Sequence, residues 1–213
     1  MTVTGGLPKL LLMAEFTGTT EEEVVTRMKK AQAEVEKAYG LKTHVTKNMH
    51  EEEKYWTVRR ESFSLLREHV KNMHTAPFID DIVVHPLDLP EFLPRLELIF
   101  KKYPSLIYTI AGHAGDANFH IIPLMDFTKE DQIAIIPKLS DEVYELVLEY
   151  KGSITAEHND GLVRGPYLEK MYGEKVFELF KEVKKIFDPQ NIFNPHKKTD
   201  ATEEYLISHI RRD

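Results

Sequence analysis

Residues 105–124 read SLIYTIAGHAGDANFHIIPL. Two β-type runs, 105–112 and 118–124, flank the glycine-containing turn HAGD, which is the pattern of an antiparallel hairpin. On the second run Asn118, His120 and Ile122 share one face. Phe119 and Ile121 take the other, because successive strand side chains alternate. His113 and His120 stand on either side of the turn, so a bent strand–turn–strand can bring both rings together. A second polar cluster, SITAEHNDGLVR at 153–164, starts as a short strand over 153–156 and carries Glu157 and His158.

Working outward from the hairpin, residues 87–103 form an amphipathic helix with Phe92, Leu96, Ile99 and Phe100 on one face. Residues 76–84 (APFIDDIVV) read as a strand that starts after Pro77 and carries two acids. That gives β-α-β-β. Nearer the start, residues 7–16 read as a buried strand. Thr20 and Glu23 form a capping box for a helix that ends at Gly40, and residues 41–45 make a further strand. A helix follows over about 51–72, with Trp56, Arg59, Arg60, Phe63, Leu66 and Val70 near one another. Beyond the hairpin, a capping pattern at 128–131 opens a helix to about Tyr150 that kinks or begins at Pro137. Val176 to Phe187 mark an amphipathic helix, and residues 202–210 a last short one. The expected fold class is α+β: a duplicated ferredoxin-like antiparallel sheet with helices packed on one face, plus C-terminal helices. No low-complexity segment or linker interrupts the 213 residues, so they are expected to form one domain.

Composition narrows the function. The 42% hydrophobic content, with 11 Phe and 9 Tyr, suffices for a real core. A net charge of −7 argues against nucleic-acid binding, which needs a basic face. With no cysteine there is no disulfide, thiolate zinc site or iron–sulfur ligation within the chain. No apolar run approaches the roughly 18 residues of a membrane span. The start, MTVTGGLPKLLLMAEF, lacks a basic n-region and breaks at Pro8, unlike a signal peptide. A soluble, cytoplasmic body is expected.

His113, His120 and Glu157 supply two imidazoles and a carboxylate, a set that suits zinc or iron(II) with open positions for substrate. Spacing alone leaves open that these are ordinary loop histidines bonded to carbonyls. His158, next to Glu157, suits a general base, since an unperturbed imidazole titrates near about 6.5; the plainer reading is a surface histidine beside an acid. Arg59 and Arg60 follow Trp56 and can fork a carboxylate or pair with nearby glutamates. Asp80 and Asp81 are a carboxylate pair, or one inward acid and one solvated. Asn194, Lys197 and Lys198 touch a cofactor or make a plain turn. GxGxxG, Walker, GxSxG and HExxH motifs are all absent.

Together these stretches resemble a known family. GHAGDANFH is similar to the GHxGDGNxH signature of the C-terminal domain of FAD-linked oxidases, and ITAEHNDGLVR to its SGEHGxGxxR motif. IFDPQNIFNPHKK resembles its FDPxxxxNPGK, WTVRR its WxxR, and APFIDDIVVHP its D-V-x-V-P strand. The order agrees, from Leu7 to about Lys198. The family includes D-lactate dehydrogenases, glycolate oxidase subunits and D-2-hydroxyglutarate dehydrogenases, flavoproteins of the vanillyl-alcohol-oxidase type. In these an N-terminal domain binds FAD, while the C-terminal domain covers the flavin and holds the substrate.

The resemblance implies that this chain is the second part alone, inactive by itself, with a 2-hydroxy acid, the FAD-binding domain and a downstream electron acceptor as partners. It also implies a cytoplasmic place, or one peripheral to the inner face of the membrane. His113, His120 and Glu157 would hold a divalent metal, zinc or iron(II). His158 would be the base. Arg59 and Asn118 would bind substrate, and Asn194 and Lys197 would lie near the flavin. The sequence departs from the pattern at Ala117, where GDGN has Gly; at Asn159–Asp160, after EH; at His196, where NPGK has Gly; and at His85, where Pro is usual. The rival readings are a stand-alone metal- or ligand-binding module without catalysis, and a metal-dependent hydrolase using the same ligands.

Overall fold

The computed structural model describes residues 11–69 and 73–212, and the side chains of 11–61 and 73–212. Two compact units are present, Met1–Glu68 and His69–Asp213.

The first unit contains α1 (Glu21–Tyr39) and α2 (Met49–His69). At the start of α1 the Thr20 hydroxyl accepts the Glu23 amide at 3.2 Å, and the Glu23 carboxylate reaches back to the Thr19 amide at 3.0 Å. Gly40 closes the helix at φ 62°, a conformation that costs glycine nothing, and donates its N–H to the Glu36 carbonyl at 2.9 Å. The strands expected on either side of α1 are not among the described residues. Residues 7–10 lie outside them. Residues 11–16 are mostly exposed without regular structure, and 41–45 are irregular. A strand needs a ladder partner for its backbone groups, and the described residues of this unit contain no strand to supply one. Here the expected βαβ unit is represented by its helix. Of the residues expected on α2, Val70 lies outside the described part.

The second unit is α+β. Its elements are β1 (His74–Thr75), β2 (Ile82–Val83), α3 (Leu89–Phe100), β3 (Ile107–His113), β4 (Asn118–Met125), α4 (Glu130–Ile133), α5 (Ile135–Glu149), α6 (Gly161–Arg164), α7 (Leu168–Tyr172), α8 (Glu174–Phe187) and α9 (Glu203–Ser208). Strand β4 is central to an antiparallel sheet. The hairpin with β3 runs along one edge, with Ala111 opposite His120 and His113 opposite Asn118. Along the other edge β1 pairs with Leu124 and Met125, and β2 with Asn118 and Phe119. The hairpin is therefore as its sequence reads.

Alternation along β4 sends Ile121 and Met125 to the core and Asn118 and His120 to the opposite face. The core side packs on Phe92, Leu96 and Phe100 of α3 and on Leu139, Val143, Tyr144 and Val147 of α5. Burying each such side chain contributes about 1.5–3 kcal/mol. The face of β4 that carries His120 is thus backed by the buried core.

Two elements differ from expectation, and a third takes one of its two expected forms. Residues 76–84 are not one strand: β1 and β2 are separated by a buried turn, in which the Phe78 amide donates to the Ala76 carbonyl at 2.8 Å. Pro77 lacks an amide for a ladder, and Asp81 sits at φ 69°, which no strand permits. The buried Tyr144 hydroxyl donates to the Phe78 carbonyl and ties this turn to α5. The helix expected to kink or begin at Pro137 does begin there: α5 starts at Ile135 with Pro137 in its first turn, where proline is tolerated, after the separate short α4. The strand over 153–156 is a single bridge, Ser153 to Val83.

Helix α8 buries Phe177 but leaves Leu179, Val183, Ile186 and Phe187 exposed. Behind it, the Asp188 carboxylate accepts the amides of Ile192 and Phe193, each at 2.9 Å. Among the described residues no helix is long and apolar enough to cross a membrane.

Candidate metal and active site

Three histidine rings gather around one oxygen. Oε1 of Glu157 lies 3.2 Å from His113 Nε2, 3.0 Å from His120 Nε2 and 3.7 Å from His158 Nε2. Strand geometry explains the first two. His113 and His120 are diagonal neighbours on one face of the β3–β4 hairpin, and the residue directly opposite His120 is the small Ala111. The two rings meet edge to face at 5.6 Å, and His158 lies 5.2 Å from His120. Glu157 and His158 are adjacent but do not diverge as strand neighbours would, because the backbone bends through them.

The hairpin turn is strained at one point. Ala117 is fully buried at φ 53°, at the end of a 3₁₀ turn. The backbone there does require the left-handed region, at a cost of about 1–2 kcal/mol for alanine. His196, also a substitute for glycine, adopts φ 60°, whereas Asp160 is right-handed at φ −66°.

The surroundings of His120 suit a cation. Its Nδ1 lies 2.9 Å from Asp80 Oδ1 while its Nε2 faces Glu157, so each ring nitrogen meets a carboxylate. A neutral imidazole has one N–H. One contact is then lone pair against carboxylate unless the ring carries a second proton or a cation lies between. The His120 side chain is only 12% exposed, and the Asp80 contact is the carboxylate–histidine arrangement that orients a metal ligand. The residues therefore fit a divalent ion. Asp80→Asn is expected to weaken zinc binding about 10- to 100-fold, the usual loss on removing such an outer carboxylate; calorimetric titration of zinc into both proteins measures it.

Asp81, Glu157, His120 and His158 also offer ligand atoms within 4.8 Å of one another. Asp81, however, is already committed. Its Oδ2 accepts the amides of Ala156 at 2.8 Å, His158 at 2.9 Å and Glu157 at 3.2 Å, and its Oδ1 accepts Asn118 Nδ2 at 3.2 Å. Burial pushes this carboxyl up, but the donated hydrogen bonds outweigh it and hold the group below the usual carboxylate range. Neither acid of the pair is simply solvated. From the far side of the loop the buried Arg164 donates to the Asn159 carbonyl and, at 3.2 Å, to the Asp80 carbonyl.

Asn118 is buried, with its Nδ2 given to Asp81 and to the Ile82 carbonyl. Arg59 lies on α2 of the first unit, with its guanidinium 5.7 Å from the Trp56 ring centre. Asn194 is exposed on the segment after α8, and the Lys197 ammonium lies 5.5 Å from the Tyr205 ring centre. Asp80 as partner of His120 and Arg164 as a clamp were not singled out by the sequence. The adjacent acids were the available signal for the first; for the second it was the arginine that closes the ITAEHNDGLVR motif.

The model of the family "FAD linked oxidases, C-terminal domain" matches residues 8–198. D-2-hydroxyglutarate dehydrogenase of Haemophilus influenzae is 26% identical over 214 residues, 95% of this chain and 21% of that protein. Glycolate oxidase subunit GlcD of Bacillus subtilis is 29% identical over 195 residues, covering 90% and 40% respectively. The mitochondrial D-lactate dehydrogenase [cytochrome] of Arabidopsis thaliana is 31% identical over 191 residues, covering 87% and 32%. The chain spans less than half the length of each. With the signature residues His113, His120, Glu157 and His158 gathered at one point, and the match running over 8–198, the chain belongs to the family of FAD-linked oxidase C-terminal domains.

Proposed function

We propose that this chain is the substrate-side domain of an FAD-dependent 2-hydroxy-acid dehydrogenase, with His113, His120 and Glu157 holding a divalent metal and His158 acting as base. The observation that carries this reading is the convergence of three imidazole nitrogens on Glu157 Oε1. Asp81 is left out of the ligand set because its oxygens are taken by amides, and His113 takes that place. A zinc or iron(II) ion, when bound, supplies Lewis-acid stabilisation of a substrate alkoxide. The flavin of a partner domain supplies the hydride acceptor.

The chain's own residues do the rest. The His158 backbone is fixed at both ends, its amide given to Asp81 and its carbonyl accepting the Thr155 hydroxyl. Its ring is more than half exposed, so Nε2 can receive the proton of a substrate hydroxyl beside the ligand cluster. For Asn118, only Oδ1 is left to offer a substrate. The roles of Arg59 toward the substrate carboxylate, and of Asn194 and Lys197 toward the flavin, rest on their motifs alone.

The test uses the chain loaded with cobalt(II). Glycolate or D-lactate is expected to perturb the cobalt visible absorption saturably, with no hydrolysis of p-nitrophenyl acetate. Ester hydrolysis with indifference to hydroxy acids would overturn the dehydrogenase reading in favour of a hydrolase.

A further inference from the structure

Glu157 and His158 lie in a stretch without regular secondary structure, with side chains 47% and 54% exposed. No ladder holds them: among the described residues the last bridge to the sheet is at Ser153. The Thr155 hydroxyl holds the His158 carbonyl and Arg164 the Asn159 carbonyl, and the amides are held by the carboxylate of Asp81, which is itself 0% exposed. Three consecutive amides, those of Ala156, Glu157 and His158, converge on it at 2.8–3.2 Å, and the Thr155 hydroxyl approaches at 3.4 Å. Consecutive amides curled around an anion form a nest, and the fixed charge sets the path of the backbone. Asn118 Nδ2, from the strand that also bears His120, donates to the same carboxylate. Asp80, one residue earlier, holds His120 itself.

The left-handed backbone at Asp81 (φ 69°) lets two sequential carboxylates serve one site, one through the strand and one through the loop. We propose that Asp81 is a positioning residue for the site. By fixing the amides of 156–158 it sets where the Glu157 carboxylate and the His158 ring stand, without ligating the ion. This inference rests on the metal-site reading above.

The experiment is a double-mutant cycle in the whole chain, with cobalt(II) as probe and affinity and visible spectrum as readouts. Asp81→Asn cannot accept the three amides with both oxygens. It is expected to weaken cobalt binding by about 10- to 100-fold and to shift the spectrum toward that of Glu157→Gln. Because Asp81 acts through Glu157, the double variant is expected to bind no more weakly than Glu157→Gln alone. Additive losses would make Asp81 an independent ligand or a general scaffold and overturn the proposal, as would wild-type binding in Asp81→Asn. A wild-type chain that takes no cobalt overturns the metal reading and this inference with it. Should Asp81→Asn fail to fold, amide exchange in the wild-type chain decides: slow exchange at 156–158 supports the nest, and exchange at the free-chain rate overturns it.

Discussion

Glu157→Ala is expected to weaken zinc or cobalt binding by about 100-fold or more, since loss of an outer-shell partner alone costs about 10- to 100-fold. Glu157 faces all three rings, at 3.0 Å from His120, 3.2 Å from His113 and 3.7 Å from His158. On the proposed reading, removing it takes away both a ligand and the negative charge that would offset the ion. The same substitution should leave the melting temperature of the metal-free chain close to wild type. The side chain is 47% exposed, and the loop is held by its amides rather than by this carboxylate. Calorimetric titration and thermal denaturation on one preparation separate the two effects. Wild-type affinity in Glu157→Ala would remove it from the ligand set.

Gly112→Ala is expected to destabilise the fold by about 3 kcal/mol or more, through overpacking and backbone strain together. Gly112 lies opposite Phe119 in the β3–β4 hairpin at φ 153°, which L side chains rarely adopt. A methyl group there would stand 2.2 Å from the Asn118 carbonyl oxygen and 3.0 Å from the Phe119 Cα. Both obstacles are main chain of the central strand, so no side-chain rotation relieves them. The strand must shift, and it carries Asn118 and His120. At about 2–4 °C per kcal/mol for a chain of this size, the melting temperature should fall by about 6 °C or more. A fall within experimental scatter would mean that the hairpin adapts at this point.

How far the sequence foretold this arrangement depends on the range of the interaction. The hairpin was legible because its signals are local: alternating apolar residues, a glycine turn, and register set by a short connection. That register alone puts His113 and His120 on one face. The cap at Thr20 and Glu23 was legible for the same reason. The turn between β1 and β2 was not. Residues 76–84 have a strand's composition, and nothing local announces that Asp81 turns left-handed. Its reward lies 75 to 77 residues away, in the amides of Ala156, Glu157 and His158. Arg164 posed the same problem, since its acceptor at Asp80 is 84 residues distant. In the first unit, residues 11–16 and 41–45 have apolar content, but the described residues there include no paired strand that would make it a sheet. Apolar pattern marks what can be buried, and pairing decides whether it becomes a strand.

The proposed site forms around an ion shared by the hairpin histidines and Glu157. X-ray absorption at the zinc edge, on the chain loaded with one equivalent, tests it most directly. The prediction is an inner shell at about 2.0–2.1 Å with outer-shell imidazole scattering from two histidines, reduced to one in His120→Ala. A shell of oxygen scatterers without imidazole features, unchanged by that substitution, would contradict it.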